Sequence, residues 1–191
     1  MYTLRLCPIS IIMMIRLFFD FAQLKNLYRQ GWPKRGVAQS HCESVADHSF
    51  SVALLGYVLA HHYRPDLDHA KVMALGLIHE LGEIDAGDIT PLDNMSDTHK
   101  SEREYASVRR VFSGLADSDR YVSLWLEFEN RSSLEAKFVG QVDRLEMALQ
   151  ACLYERLGYT ALEDFFPYVR ERITDPCLMP LLEDMLRLRE G

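Results

Sequence analysis

The spacing of apolar residues along this chain is helical almost throughout. Between the prolines and glycines, apolar positions recur every three or four residues, which places them on one face of an amphipathic helix. No segment shows the strict apolar and polar alternation that indicates a half-buried strand. We therefore predict an all-α bundle of about seven or eight helices. The predicted helices cover residues 15–28, 44–63, 68–81, 98–112, 118–129, 134–157, 159–173 and 176–189, with loops at 31–36 and 87–91.

The start of the second predicted helix carries a clear local signal. Ser44 is followed three residues later by Asp47, a spacing that lets each side chain cap a backbone N–H group at the helix start. Beyond this capping box, Val45, His48 and Val52 fall on one stripe of the helix. His48 is therefore expected on the buried face.

Composition limits the class of protein. The chain has 191 residues, of which 48% are hydrophobic and 26% charged, values typical of one globular domain with a sizeable core. Its formal charge of −7 argues against a nucleic-acid polymer as partner. The four cysteines, from Cys7 to Cys177, have no paired short spacing, so we expect no disulfide framework and a reducing cytoplasm.

The N-terminal segment, residues 1–15, is interpreted as an extension. Met13 and Met14 lie just before the first amphipathic pattern, so an upstream start codon would explain the residues before them. The apolar run at 9–15 is too short to span a bilayer, and it lacks the small-residue cleavage site of a signal peptide. No association with a membrane is expected.

One group of residues has the chemistry of a metal site. On a helix of 3.6 residues per turn, His79 and Glu80 flank one point, and Glu83 lies one turn further on the same side. Imidazoles and carboxylates suit a divalent transition metal, and His48 could complete such a site. Asp143 lies on a mostly apolar helix face, where an isolated charge needs a metal or an arginine as partner.

Two simpler interpretations compete with a metal site. A single histidine on an apolar face is often a hydrogen-bonded core residue, which fits His48 or His79 taken alone. Residues 79–83 also approach the zinc-protease pattern H-E-x-x-H, but Glu83 stands where the second histidine would be. The zinc pair of a protease is therefore incomplete.

Several motifs, taken together and in order, resemble the HD-domain phosphohydrolases, and among them the small 5'-deoxynucleotidase-like branch. The resemblance extends over about residues 20–155, and it implies a single HD domain over residues 16–191. The motifs are ESVADHS at 43–49, LIHELGE at 77–83, GDITP at 87–91, LWLEFE at 124–129 and AKFVGQVDRLE at 136–146.

The resemblance implies a divalent metal held by a first histidine, a His-Asp doublet and a distal aspartate. These positions fall on His48, on His79 with Glu80, and on Asp143. Glu80 replaces the aspartate of the doublet and is one methylene longer. Its carboxylate would pass the metal position unless the helix retracts or the rotamer folds back. Manganese, cobalt, iron, zinc or nickel is expected, and magnesium is less favoured.

The resemblance also implies two catalytic acids beyond the doublet. Glu83 corresponds to the acid that orients or deprotonates the attacking water. Asp88, in the Gly-Asp turn, corresponds to a group that orients this water or protonates the leaving oxygen.

Substrate contacts are implied for the loop before the second helix. Arg29 and Arg35 offer forks for a phosphate, and Trp32 offers a flat wall that can exclude a 2'-hydroxyl group. Trp32 equally suits a structural role at the end of the bundle. Lys100 is a further phosphate candidate, although a solvated surface lysine is the simpler interpretation.

The implied function is metal-dependent release of phosphate from a small nucleotide, most concretely a deoxyribonucleoside 5'-monophosphate, by a homodimer. One alternative is a degenerate domain that senses nucleotides or mediates assembly. Another is a di-iron oxygenase, for which His41 is the only obvious extra histidine near the first motif. The later apolar residues suit either a dimer face or the core: Phe165, Phe166, Tyr168, Leu178, Leu181 and Leu182.

Overall fold

Nine α-helices form the part of the chain that the computed structural model describes, residues 11–90 and 93–190. The one strand-like pairing in these residues is an isolated antiparallel bridge between Tyr28 and Ser44. The predicted all-α class is confirmed. The helices are α1 (Ile11–Gln23), α2 (Val45–Tyr63), α3 (His69–Ile78), α4 (Glu83–Ala86), α5 (Asp97–Phe112), α6 (Ser118–Glu129), α7 (Leu134–Arg156), α8 (Phe165–Arg170) and α9 (Met179–Glu190), with 3-10 helices at Pro33–Arg35 and Gln39–His41.

Helix bounds agree with the predictions best in the middle of the chain. α6 has the predicted bounds, and α7 ends one residue before the predicted end. α8 and α9 begin later than predicted, because Pro167 and Pro180 lack an N–H group and are tolerated only in a first helical turn. α1 ends earlier than predicted, and the chain then turns before Tyr28 pairs with Ser44.

Some predictions concern residues that the structure does not describe. Cys7 and the predicted turn at Pro91 lie outside the described residues. α1 crosses the predicted boundary between the extension and the domain, and that division stays a prediction. Among the described residues, no helix combines the length and the apolar character needed to cross a membrane.

The centre of the fold is the packing of α2, α3 and α7 against one another. Val52, Val72 and Val142, one from each helix, are completely buried. At Gly76 the backbones of α3 and α2 approach closely, since a Cβ atom built there would lie 2.6 Å from the Ala53 Cα. Glycine is required at this point, and the approach brings the end of α3 beside the first half of α2.

The capping box predicted at the start of α2 is confirmed. The Ser44 Oγ accepts a hydrogen bond from the Asp47 N–H at 3.1 Å, and the Asp47 Oδ2 accepts one from the Ser44 N–H at 2.9 Å. These bonds fix where the helix begins and hence the direction of each later side chain. His48, in the first turns of α2, is consequently buried, as predicted.

The later apolar residues belong mostly to the core. Phe165, Phe166, Leu178 and Leu182 are buried and join the main core cluster, whereas Tyr168 is exposed. Core packing therefore accounts for most of the residues that the sequence also allowed as a dimer face.

Candidate metal centre and active site

The segment after α3 winds tightly and keeps its functional side chains together. The predicted helix over 68–81 is wrong at its end, because α3 stops at Ile78 and His79 is its C-cap. After Ile78, backbone N–H groups donate to the carbonyl oxygen three residues earlier instead of four residues earlier, until α4 begins at Glu83. These bonds run from Leu81 N to Ile78 O, from Glu83 N to Glu80 O and from Ile84 N to Leu81 O, at 3.0, 3.1 and 3.3 Å.

Two imidazole rings face each other at the centre of the site. The Nε2 atoms of His48 and His79 lie 3.4 Å apart. The His48 Nδ1 is 2.7 Å from the Glu146 Oε2, and the His79 Nδ1 is 2.8 Å from the Gly76 carbonyl oxygen. Because both partners are acceptors, each Nδ1 carries a proton and donates it. In the neutral rings both Nε2 lone pairs then face the same point, where a cation would satisfy them.

Two carboxylates lie beside the imidazoles. The Glu80 Oε1 is 3.6 Å from each Nε2 atom, and the Asp143 Oδ1 is 3.2 Å from the His48 Nε2. Donors that each lie about 2.1 Å from one ion are separated by roughly 3.0–3.4 Å. The donor atoms of His48, His79 and Glu80 therefore lie close enough together to suit a single divalent ion. Asp143 contacts the His48 Nε2 but lies outside this group of three. The longer side chain of Glu80 still places its carboxylate beside both imidazoles.

The electrostatics around His48 favour positive charge. Burial and the charge of Arg29 lower the pKa of His48, but hydrogen bonds with Asp143 and Glu146 outweigh them and raise it to about 10. Burial lowers the pKa of His79. The carboxylates thus stabilise a positive charge at the Nε2 atom of His48, which is also what binding a divalent cation requires.

Glu83 is a buried acid without a full set of partners. Its side chain is 2% exposed, and its Oε2 atom has no hydrogen-bond partner among the described residues. Burial, followed by the negative charge of Glu80, raises the pKa of Glu83 well above its ordinary value. An orphaned carboxylate oxygen beside the donor set fits a site that takes up a cation and water.

Arg29 lies among the acids of this segment. Its Nη1 atom is 2.8 Å from the Glu80 Oε1, 3.6 Å from the Asp88 Oδ1 and 3.8 Å from the Glu83 Oε1. The Asp88 Oδ2 also accepts a hydrogen bond from the Gln30 N–H. One guanidinium therefore faces three carboxylates, so the net charge around Arg29 is negative.

A cavity of about 680 Å³ opens onto the cluster and is large enough for a small ligand. His48 is completely buried and reaches the cluster from behind the cavity wall. The cavity brings together every other predicted site residue: Arg29, Trp32, Arg35, His79, Glu80, Glu83, Asp88, Lys100 and Asp143.

The predicted substrate-binding residues have definite partners. The Trp32 indole is almost fully buried, and its Nε1–H donates to the Glu43 Oε1 at 2.8 Å. Arg35 pairs with Asp164 at 3.0 Å and covers the ring of Phe165. Trp32 therefore has the structural role that the sequence allowed and also forms part of the cavity wall.

Lys100 reaches the same cavity from α5. Its Nζ donates to the Ile89 carbonyl oxygen at 3.1 Å and lies 3.6 Å from Glu104. The lysine thus ties α5 to the segment after α4 and is not a freely solvated side chain.

Sequence reasoning missed several residues of the site. Glu146, which orients His48, lies three residues after Asp143 on the same face of α7, so helical spacing could have identified it. Glu43, by contrast, belongs to the first motif, and burial together with the charge of Glu146 raises its pKa to about 7. Arg131 and Arg144 also line the cavity, and no sequence pattern indicated them.

Known proteins resemble this chain over most of its length. An HD domain family model matches residues 21–176. The human protein named 5'-deoxynucleotidase HDDC2 is 33% identical over 180 residues, which cover 92% of this chain and 84% of that protein. The PH0347 protein from Pyrococcus horikoshii OT3 has a TM-score of 0.77 and 30% identity, covering 92% of this chain and 99% of that one. A structure titled predicted metal-dependent phosphohydrolase, from Magnetospirillum magnetotacticum MS-1, has a TM-score of 0.71 and 25% identity, covering 94% and 92%.

The contact between His48 and Glu146 leads to a prediction about metal affinity. Glu146→Gln keeps the shape of the side chain but removes the charge that orients the imidazole. We expect the affinity for Mn²⁺ or Co²⁺, measured by calorimetry, to fall roughly 10–100-fold. Glu155→Gln is the matched control, because Glu155 lies on the same helix but pairs with Arg189. Equal affinities in the two variants would show that Glu146 does not support the metal ligand.

Proposed function

The chain belongs to the HD-domain family, and on that premise we propose that it is a metal-dependent 5'-deoxynucleotidase. The observation that carries this proposal is one cavity lined by His79, several carboxylates and the buried acid Glu83, with the His48 imidazole directly behind its wall. Relatives named 5'-deoxynucleotidases cover most of the chain, which confirms the nucleotide phosphohydrolase class expected from the sequence. The substrate proposed is a deoxyribonucleoside 5'-monophosphate.

His48, His79, Glu80 and Asp143 would hold the metal. A divalent transition metal bound there would supply a Lewis acid that polarises a phosphate oxygen and favours attack by water. Both imidazoles are already held by their Nδ1 partners, so their donor atoms need little reorganisation.

We assign the proton transfer to Glu83 and Asp88. A raised pKa suits a general base that works near neutral pH, and the Oε2 atom of Glu83 has no competing partner among the described residues. Glu83 takes a proton from water, the water oxygen forms a bond to phosphorus, and the bond to the 5'-oxygen breaks. Asp88 orients the water or delivers the proton that the leaving 5'-oxygen needs. Trp32 contributes to the wall that would exclude a 2'-hydroxyl group.

The activity of metal-stripped protein tests this function. We expect Mn²⁺ or Co²⁺ to restore phosphate release from deoxyribonucleoside 5'-monophosphates, and His79→Ala to abolish it. Glu83→Gln should lower kcat by roughly 10²–10⁴-fold, because the base is lost, while metal content is retained. His62→Ala, which changes an exposed histidine of α2, is the control for both measurements. No turnover of any nucleotide or phosphate ester with any metal would refute the proposal.

The ion pair between Glu80 and Arg29 supports a second candidate, a degenerate domain that binds a nucleotide without hydrolysing it. The third candidate, a di-iron oxygenase, has less support because the His41 Nδ1 contacts the Tyr159 hydroxyl group at 2.8 Å. Two irons per chain in metal analysis would favour that candidate.

Glu80→Asp distinguishes an adapted site from a degenerate one. We expect equal or lower phosphate release from this variant, because the longer carboxylate already lies beside both imidazoles. The measurement is kcat at saturating metal for the variant and the parent. A variant that gains activity absent from the parent would show that the parent site is degenerate.

We also propose that the protein is a cytoplasmic homodimer. Cys42, Cys152 and Cys177 are free thiols, which supports a reducing compartment. The outer surface of the packed α2 and α3 helices exposes large apolar side chains, and a second copy would remove them from water. These side chains are Phe50, Leu54, Tyr57, Val58, Met73 and Leu77, between 40% and 62% exposed.

Light scattering in solution tests the dimer and its surface. The measured mass should be twice that of the chain, and Leu54→Asp should reduce it to one chain because a charge is unfavourable in an apolar interface. Leu157→Asp is the control at another exposed leucine, beyond the end of α7. A parent protein with the mass of one chain would contradict the dimer, and a dimeric Leu54→Asp variant would contradict the surface.

A further inference from the structure

Two arginines of the cavity differ from its other cations. Arg29, Arg35 and Lys100 each have a carboxylate within 4.0 Å. Arg131 and Arg144 have none among the described residues, although both line the same cavity. The cationic charge that no ion pair among the described residues neutralises therefore lies on the wall formed by α7 and the turn before it.

Arg144 has N–H donors without hydrogen-bond partners among the described residues. A guanidinium carries five N–H groups, and in the described residues only the Nη1 of Arg144 has a partner, the Gly140 carbonyl oxygen. Its Nε atom is buried without any hydrogen bond to them. An unpaired buried donor is costly, so this side chain is suited to an incoming acceptor.

Arg131 is held in place by unusual local structure. Its φ of 49° lies in the left-handed region, which side chains other than glycine seldom adopt. The guanidinium lies 3.7 Å from the centre of the Phe128 ring, and that ring packs on His79 at 4.9 Å. A Cβ atom at Gly140 would lie 2.5 Å from the Arg131 Nε, so the side chain occupies space that only glycine leaves. Backbone strain of this kind is concentrated at active sites and ligand-binding sites.

The neighbours of the pair indicate an anionic ligand. Burial lowers the pKa of Arg131, the charges of Asp143 and Glu129 raise it, and the charge of Arg144 lowers it again. Both guanidinium groups also lie beside Gly140, because Arg131 occupies the space next to its Cα and Arg144 donates to its carbonyl oxygen. The two like charges are therefore neighbours and repel each other. Asp143 is already engaged by His48 at 3.2 Å. An anion bound by both arginines would relieve the repulsion and use their free donors.

We propose that Arg131 and Arg144 form the subsite that binds the phosphate monoester dianion of the substrate. This inference rests on the proposed function and moves the main phosphate contacts away from the loop before α2. Arg29 faces three carboxylates and so offers a dianion no net attraction. Arg131 lies beside the proposed metal ligands through Phe128 and His79, so a phosphate held there would lie near the acids that act on it.

Binding to metal-loaded protein tests the subsite without turnover. In Glu83→Gln protein, Arg131→Met and Arg144→Met should each raise the Kd for a deoxyribonucleoside 5'-monophosphate, and for inorganic phosphate, by roughly 10–100-fold. The Kd for the deoxyribonucleoside should not change. Arg131→Lys and Arg144→Lys should restore part of the affinity, because charge is kept but the fork is lost. Arg156→Met, at an exposed arginine of α7, is the control.

The possible results distinguish phosphate binding by the two arginines from a purely structural role. They also distinguish failure of the subsite from failure of the proposed function. Unchanged Kd values for phosphate in Arg131→Met and Arg144→Met, with melting temperatures like the parent, would overturn the subsite. A lower melting temperature, together with an equal rise in the Kd values for the nucleoside and the nucleotide, would also overturn the subsite. If no nucleotide is hydrolysed but phosphate affinity still falls in these variants, the subsite stands and the proposed function fails.

Discussion

The close approach of α3 to α2 at Gly76 is the constraint on which the site depends. The missing side chain lets the two backbones touch at Ala53, and this contact sets how far apart His48 and His79 lie. The carbonyl oxygen of the same glycine accepts the hydrogen bond from the His79 Nδ1, which leaves the Nε2 atom free for a cation. The missing side chain of Gly76 therefore determines the separation of two metal-ligand candidates, and its backbone carbonyl fixes the tautomer of one. A larger residue would separate the helices and open the 3.4 Å contact between the imidazoles.

Local signals in the sequence predicted most of the fold and many of the residues that line the candidate site. Ser44 and Asp47 identified the start of α2, and the helical stripe then placed His48 on its buried face. By contrast, the end of α3 at Ile78 depends on tertiary packing: the Trp125 Nε1–H donates to the His79 carbonyl oxygen at 3.1 Å, a contact that helical periodicity does not encode. Arg131 was missed for a similar reason, because its position depends on a left-handed backbone and on space left by a glycine nine residues later.

The early end of α3 also explains how the chain accommodates Glu80. On a continued helix the extra methylene would carry the carboxylate past the imidazoles. The tighter turns that begin after Ile78 change where the Glu80 backbone lies, and one oxygen of its carboxylate reaches both Nε2 atoms and the Arg29 guanidinium. Glu80, which replaces the aspartate of the usual His-Asp doublet, is thus accommodated by the changed backbone and stabilised by the Arg29 guanidinium. Replacement of the aspartate by Glu80 therefore does not by itself imply that the metal site is lost.

The net charge of −7 is compatible with an anionic substrate because attraction depends on where charges lie. Exposed charges more than about 8 Å away are largely screened at physiological salt, whereas partly buried groups are screened much less. Within the cavity, the acids lie around the imidazoles and Arg29. Arg131 and Arg144 lie on α7 and the turn before it, without ion pairs among the described residues. The net negative charge of the chain would repel a long polyanion, but a single phosphate group inside the cavity would meet these two guanidinium groups. The positions of a few partly buried charges, and not the net charge of the chain, therefore favour a small nucleotide over a nucleic acid.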